Sequence, residues 1–175
     1  MHDTKVKLAG DAERHALTVL VDNEAGVLAR VVGLFSGRGY NIESLTVAEV
    51  DAMTRTSRIT IVTSGTPAVI EQIETQLRRL VPTHKVTNWT SAKAGIEREM
   101  ALVKVAGTGE KRVEALRMAD AFRARPVDTT HASFVFEITG APSKIDSFVD
   151  LMRPLGLVEI SRTGVAAISR GPDAM

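Results

Sequence analysis

The first half of the chain alternates between strand-like and helix-like patterns of apolar residues. Leu17, Val19 and Val21 stand at every second position, which predicts a strand. Apolar residues then recur at helical spacing until glycines interrupt the pattern. Continued in this way, the pattern predicts strands over 17–21, 42–50, around 59–61 and over 85–89, with helices over 27–35 and 67–80. This order, strand–helix–strand–strand–helix–strand, is that of a ferredoxin-like unit.

The second half repeats this order, although the residues themselves do not repeat. The predicted strands cover 100–106, 127–130, 134–138 and 157–162, and the predicted helices cover 110–123 and 142–153. Two such units lie about eighty residues apart, which is a repeat of pattern. The sequence therefore predicts an α+β protein made of two ferredoxin-like βαββαβ units.

The same pattern suggests how the chain is divided into domains. We expect a flexible N-terminal extension over 1–14, a first domain over 15–90 and a second over 96–171, joined by the small polar run 91–95. In the first domain, Leu20 and Val62 fall on the sheet face away from the helices. Because a half-apolar bare face needs cover, it predicts pairing with another subunit or with the second domain.

Composition limits the chemistry that the chain can carry. The 175 residues include no cysteine, which excludes disulfides, thiol nucleophiles and cysteine–metal sites. The four histidines are far apart and lack metal-ligand spacing. No serine lies in a nucleophile-elbow context, and no pair of carboxylates is singled out by spacing. The sequence therefore predicts no catalytic residue and no metal site.

Charge and aromatic content argue against two classes of partner. A formal net charge of +1 gives no broad attraction to nucleic acid or to an anionic membrane. RNA-recognition domains share the βαββαβ order, but the strand around Ile59 and Ile61 lacks the aromatics on which they stack bases. No apolar run reaches membrane-spanning length and residues 1–14 contain no apolar signal core, so we expect a cytoplasmic protein.

Residues at the two turns around the first helix indicate a ligand site. Asn23 and Gly26 precede that helix, and Asn41 follows it. A helix start presents unpaired backbone N–H groups to an anion, and glycine lets a ligand approach the backbone. Asparagine amides supply donors and acceptors, and the combination suits a free amino acid. The structural alternative is that these residues serve only as a helix cap and two turns.

Two longer segments carry a resemblance to a known family. The runs 23–28, Asn-Glu-Ala-Gly-Val-Leu, and 38–47, Arg-Gly-Tyr-Asn-Ile-Glu-Ser-Leu-Thr-Val, resemble the opening of the small regulatory subunits of acetolactate synthase (acetohydroxyacid synthase). The resemblance extends from about Ala16 to Gly171 and also includes the runs 71–74, 97–99, 102–104, 162–165 and 169–171. Members of this family begin with an ACT domain, so the first unit is expected to be one.

The resemblance implies an amino-acid effector site. Its expected residues are Asn23, Gly26, Val27, Leu28, Asn41 and Ile42. The effector's charged groups would meet the turn amides and the asparagines, and Ile42 with neighbouring apolar side chains would meet a branched aliphatic tail. The family also implies a homodimer in which ACT domains pair side by side.

The implied function is regulatory and non-catalytic. The chain would bind the large catalytic subunit of acetolactate synthase, raise its activity and confer feedback inhibition by valine in branched-chain amino acid biosynthesis. Thiamine diphosphate, magnesium and FAD would belong to that partner, with no cofactor in this chain. One alternative is a free-standing amino-acid-sensing ACT protein that regulates another enzyme. Another is a small α+β enzyme, against which the missing nucleophile and metal cluster argue.

Overall fold

The computed structural model describes residues 11–92 and 95–175, which form two compact units. The first unit contains the described residues up to Ile96 and the tail Ala167–Met175. The second contains Glu97–Ala166.

The first unit is an antiparallel sheet with helices on one face. Its elements are β1 (Glu13–Asp22), α1 (Val27–Ser36), β2 (Ser44–Asp51), β3 (Thr56–Gly65), α2 (Pro67–Arg79), β4 (Thr83–Asn88) and the short helix α3 (Trp89–Ala92). The strands are ordered β2-β3-β1-β4. Asp22 pairs with Thr56 at one end of β1, and Glu13 pairs with Gly65 at the other. Before α3, the elements follow the predicted βαββαβ order.

Helical periodicity explains how α1 and α2 cover this sheet. The buried residues of α1 are Val27, Val31, Leu34 and Phe35, and those of α2 are Ile70, Ile73 and Leu77. They form one core with the inward residues of β1 and β3, among them Leu17 and Ile61. Truncating such a side chain to alanine costs about 2–5 kcal/mol. This core therefore holds α1 in place on the sheet.

The opposite face of the first sheet is less bare than the sequence suggests. Val62 is only 2% exposed and Leu20 is partly buried. Trp89 ends the predicted fourth strand one residue early and starts α3, which places its indole Nε1 2.7 Å from Thr18 Oγ1 on that face. The hydroxyls of Thr18 and Thr60 lie 3.2 Å apart beside it. This part of the face is therefore covered within the described chain, and the pairing with another subunit or with the second domain stays a prediction.

The second unit has the same α+β layout. Its elements are β5 (Gly95–Ala106), α4 (Gly109–Ala121), β6 (Arg125–Thr129), β7 (Ser133–Gly140), α5 (Pro142–Met152) with a 3-10 turn (Arg153–Leu155), β8 (Leu157–Arg162) and the start of β9 (Ala166–Ser169). The first two residues of β5 and the residues of β9 after Ala166 belong to the first unit. The strand order is β6-β7-β5-β8, and β9 also pairs with β5. The fold class predicted from the sequence is confirmed, and β9 is an addition to it.

A buried carboxylate joins three elements of the second unit. Glu99 on β5 is 5% exposed and accepts a hydrogen bond from Arg162 on β8. The other guanidinium nitrogen of Arg162 lies 2.7 Å from Asp146 Oδ1 on α5. The bond to Glu99 is the main reason that the pKa of Arg162 is raised above its ordinary value. The ion cluster therefore has a structural explanation, because a buried charge needs such partners.

The predicted extension and linker fall only partly on described residues. Residues 1–10 and 93–94 lie outside the described residues. Glu13 and Arg14, which were expected in the extension, belong to β1. Ser91 belongs to α3 and Gly95 begins β5, so the described part of the expected linker is regular structure.

Candidate functional site

The turn before α1 presents an open helix start. Gly26 is the residue at the N-cap of α1, with φ 86° and ψ −7° in the left-handed region. Its carbonyl accepts the first helical bond, from the N–H of Arg30 at 3.1 Å. No side-chain hydrogen bond caps this helix among the residues that the structure describes. The N–H of Val27 donates to the carbonyl of Glu24 at 3.3 Å, so the remaining first-turn amides, such as that of Leu28, are the ones that a carboxylate can reach.

Glycine at position 26 is required by backbone conformation more than by packing. A Cβ built on Gly26 would meet nothing within 4 Å, so the space above the turn is open. The positive φ, however, is one that residues with a Cβ adopt at a cost of about 1–2 kcal/mol. The turn thus combines exposed amides with free space, which is what close approach of a ligand needs.

Backbone hydrogen bonds hold the turn against the neighbouring hairpin. Asn23 is half-buried, and its N–H donates to the carbonyl of Arg55 at 2.6 Å. Asp22 Oδ1 lies 2.5 Å from His84 Nε2, and this exposed pair links the end of β1 to β4. Neither the Arg55 contact nor the His84 contact was predicted, because both depend on which strand ends meet in the folded sheet. They leave the Asn23 side chain free of a structural hydrogen bond within the described chain.

The hairpin that holds Asn23 contains side-chain hydrogen bonds of its own. The Asp51 carboxylate accepts hydrogen bonds from the hydroxyl of Thr54 at 2.8 Å and from the N–H of Met53 at 2.9 Å. These bonds, led by that of the Thr54 hydroxyl, hold the pKa of Asp51 below its usual range. The carboxylate therefore stays ionised, and it defines the turn on which Arg55 sits.

Asn41 and Ile42 lie at the entrance to β2. Asn41 is exposed, and its backbone carbonyl accepts a hydrogen bond from the buried hydroxyl of Thr63 at 2.6 Å. Ile42 is partly buried against the first core. The neighbouring Glu43 N–H donates to Val62 O at 2.8 Å, so the backbone here is fixed. The side chain of Asn41 remains available for a ligand.

The six predicted site residues form two groups at opposite ends of the first unit. Asn23, Gly26, Val27 and Leu28 lie at the start of α1, whereas Asn41 and Ile42 follow its end. The ten residues of α1 span about 15 Å at the helical rise. On β3, Thr56 lies beside the first group, and Thr63 is hydrogen-bonded to the second. These two residues are roughly 23 Å apart at the strand rise. One chain therefore does not bring the two groups into contact.

The strand between these two groups is an edge strand. β2 stands at the end of the sheet order, and its backbone runs from the Asn41 end of the unit to the Arg55 end. Val47 and Val50 on it are 44% and 53% exposed. An exposed edge with apolar side chains is a surface on which a second strand can pair.

Metal-binding clusters and membrane-spanning helices are not found in the described part of the chain. No group of three or more histidine, cysteine, aspartate or glutamate residues is arranged to hold a metal ion there. Among the same residues, no helix is both long and apolar enough to cross a membrane.

Comparison with known proteins identifies both units. Residues 17–85 match the family model described as the AHAS small subunit-like ACT domain, which makes the first unit an ACT domain. Residues 98–171 match the model described as the small subunit of acetolactate synthase.

Individual relatives match over almost their whole length. A probable acetolactate synthase small subunit of Archaeoglobus fulgidus is 46% identical over 158 residues, covering 90% of this chain and 98% of that protein. The acetolactate synthase small subunit of Haemophilus influenzae is 46% identical over 159 residues, covering 90% and 96%. The crystal structure of the Thermotoga maritima small subunit superposes with a TM-score of 0.80 at 38% identity, covering 92% and 99%. The chain belongs to the acetolactate synthase small-subunit family.

Proposed function

We propose that this chain is a non-catalytic regulatory subunit that binds the acetolactate synthase catalytic subunit in the cytoplasm, activates it and makes it sensitive to valine. The observation that carries the proposal is the open, uncapped start of α1 at Gly26, in a chain of this family. Thiamine diphosphate, magnesium and FAD are then held by the catalytic subunit. This chain supplies the effector site.

The effector site in this proposal is shared by two copies of the chain. When two β2 edges pair antiparallel about a two-fold axis, the Asp51 end of one strand lies beside the Ser44 end of the other. The Gly26 turn of one copy then approaches Asn41 of the second copy. The opposite-end placement of the two groups of residues supports this arrangement, since neither group is a complete site.

Valine fits the chemistry of the two groups. Its carboxylate would accept hydrogen bonds from the first-turn amides of α1, where the helix dipole favours a negative charge. Its ammonium would donate to the amide oxygens of Asn23 and Asn41. Its branched side chain would contact Ile42, which is partly exposed, and Leu28, which is 38% exposed. The bound ligand would contact both copies at once.

Feedback inhibition then follows from linkage. A ligand that bridges two copies stabilises the paired arrangement in which its contacts are complete. If the catalytic subunit is more active when the two copies are arranged differently, valine lowers its activity by shifting the population of copies towards the paired arrangement. Binding of the catalytic subunit must then in turn alter the affinity for valine. No chemistry by this chain is needed.

Reconstitution tests the proposal. The purified chain is titrated into its catalytic subunit, and acetolactate formation is measured with and without valine. We expect activation without valine and inhibition with it, together with calorimetric binding of valine to the isolated chain. Absence of activation at saturating concentrations would contradict the regulatory role.

The alternative is a free-standing ACT protein that senses an amino acid for another enzyme. It predicts calorimetric binding of valine without any effect on acetolactate formation. The same two measurements therefore separate the alternatives.

A further inference from the structure

A basic groove lies between α1 and α2 on the outer side of the first unit. It is a cavity of about 550 Å³, and its lining residues are Arg30, Leu34, Arg38, Gln76, Arg79 and Leu80. Arg30 and Leu34 are one turn apart on α1, and Arg38 follows the end of that helix. The turn at Gly26 does not contribute to the lining of this groove.

The groove carries uncompensated positive charge. It has three arginines and no carboxylate in its lining, in a chain whose formal net charge is only +1. All three arginines are exposed, and none forms an ion pair with any residue in the described ranges. Arg30 does donate from Nη1 to the carbonyl of Val81 at 2.9 Å, which fixes its position. An acidic occupant is therefore complementary in charge.

The lining of the groove also contains an apolar side chain and a buried hydrogen-bond acceptor, neither of which favours a small anion. Leu80, which is partly buried, contributes apolar surface to the lining, and Leu34 beside it is 8% exposed. Gln76 Oε1 is a buried acceptor with no hydrogen-bond partner among the described residues. An acceptor of this kind is normally satisfied, and a backbone N–H of a docked chain would satisfy it.

We propose that this groove binds an acidic segment of the acetolactate synthase catalytic subunit. This inference rests on the proposed function. An apolar side chain of the segment contacts Leu34 and Leu80, and flanking carboxylates pair with the arginines. Arg30 lies on α1 and Arg38 just beyond its C-terminal end, so the segment meets arginines from two separate parts of the lining. A small polyphosphate fits less well because the lining contains side chains from two helices and no glycine-rich loop of backbone amides.

Charge reversal tests the proposal in the complete complex. Arg38→Glu and Arg79→Glu are titrated into the catalytic subunit beside Lys111→Glu, which makes the same charge change on an exposed position of α4. We expect the concentration for half-maximal activation to rise about tenfold or more for the two groove variants, because like charges then face each other. The control is expected to match the wild type, and calorimetric valine binding is expected to be unchanged in all three.

Crosslinking identifies the occupant directly. Because the chain has no cysteine, Thr75→Cys introduces a unique thiol beside Gln76 and Arg79, and Lys111→Cys provides the matched control. A thiol-linked photo-crosslinker at position 75 is expected to capture an acidic peptide of the catalytic subunit, and one at position 111 is not.

The outcomes separate this inference from the proposed function. Failure of the wild-type chain to activate any catalytic subunit would refute both. Wild-type activation with equal half-maximal concentrations for all variants would refute the groove alone. So would arginine-dependent binding of pyrophosphate to the free chain with unchanged activation, which would identify a small-anion site.

Discussion

Gly26 is the residue on which the proposed effector site depends most. Its φ of 86° sets the direction of the chain into α1, and the space around its missing Cβ is empty. A side chain there has two separate effects. It strains the backbone, and it occupies the position from which a carboxylate would reach the first-turn amides.

The variant Gly26→Asp should therefore lose valine binding while it keeps the fold. The left-handed backbone costs about 1–2 kcal/mol, which a packed domain tolerates, and the new carboxylate repels that of the ligand. Calorimetric titration of valine into the folded variant is the measurement. Gly109→Asp is the control, since Gly109 also has a positive φ, 59°, and open space. Wild-type affinity in Gly26→Asp would remove this turn from the site.

Asn41 is the proposed site residue at which ligand binding should be separable from folding. Its structural hydrogen bond uses the backbone carbonyl, which Asn41→Ala retains. The variant loses one or two hydrogen bonds to a charged ligand, each worth about 1.5–3 kcal/mol, so valine affinity should fall at least about tenfold. Activation without valine should persist. The valine inhibition curve of the reconstituted complex tests this, and an unchanged midpoint would make Asn41 a turn residue only.

At the scale of elements, periodicity accounts for most of the fold. The apolar positions of α1 and the alternation in β1 both reflect burial against one sheet face, and such periodic burial is visible in the sequence itself. Periodicity does not show that Trp89 ends β4 and starts α3, because a single aromatic residue after a strand is also compatible with continuation of that strand. Its indole bond to Thr18 and the close approach of Gly95, whose Cβ would lie 2.8 Å from that of Trp89, depend on tertiary packing.

The candidate site was predictable to the same degree. Its residue types and turns follow from the sequence, since glycine and asparagine have specific backbone and hydrogen-bonding properties. Their separation across α1 follows only when the strand register is known. In the proposed arrangement, the strand that completes the site comes from another copy, and no pattern within one chain contains it.

The exposed edge β2 gives a prediction about assembly. Val47→Lys puts a charge on the edge at a side chain that is 44% exposed, and charged edge residues oppose strand pairing. We expect the variant to dissociate to monomers at micromolar concentrations at which the wild type is dimeric, as measured by light scattering. Val127→Lys on β6, at a position 48% exposed in the second sheet, is the control. Equal dimer content in both variants would place the dimer seam elsewhere.

At the scale of the whole molecule, the two groups of site residues predict complementation between defective chains. In a mixed dimer of Gly26→Asp with Asn41→Ala, one site contains both defects and the other contains neither. Random re-pairing of an equimolar mixture makes about half of the dimers mixed, so about a quarter of all sites should be intact. A site contained within one chain would recover nothing.

The measurement is the number of high-affinity valine sites in calorimetry before and after the two variants are mixed and exchanged. Each variant alone should show weak or no binding, and the mixture should recover high-affinity sites at the statistical fraction. The control is a mixture of Gly26→Asp with the double variant Asn41→Ala/Val47→Lys. The charge on the edge strand of the double variant should prevent re-pairing. Recovery only in the first mixture would establish a site shared across β2. Its absence in both, with subunit exchange verified by mass spectrometry, would require each chain to hold its own site.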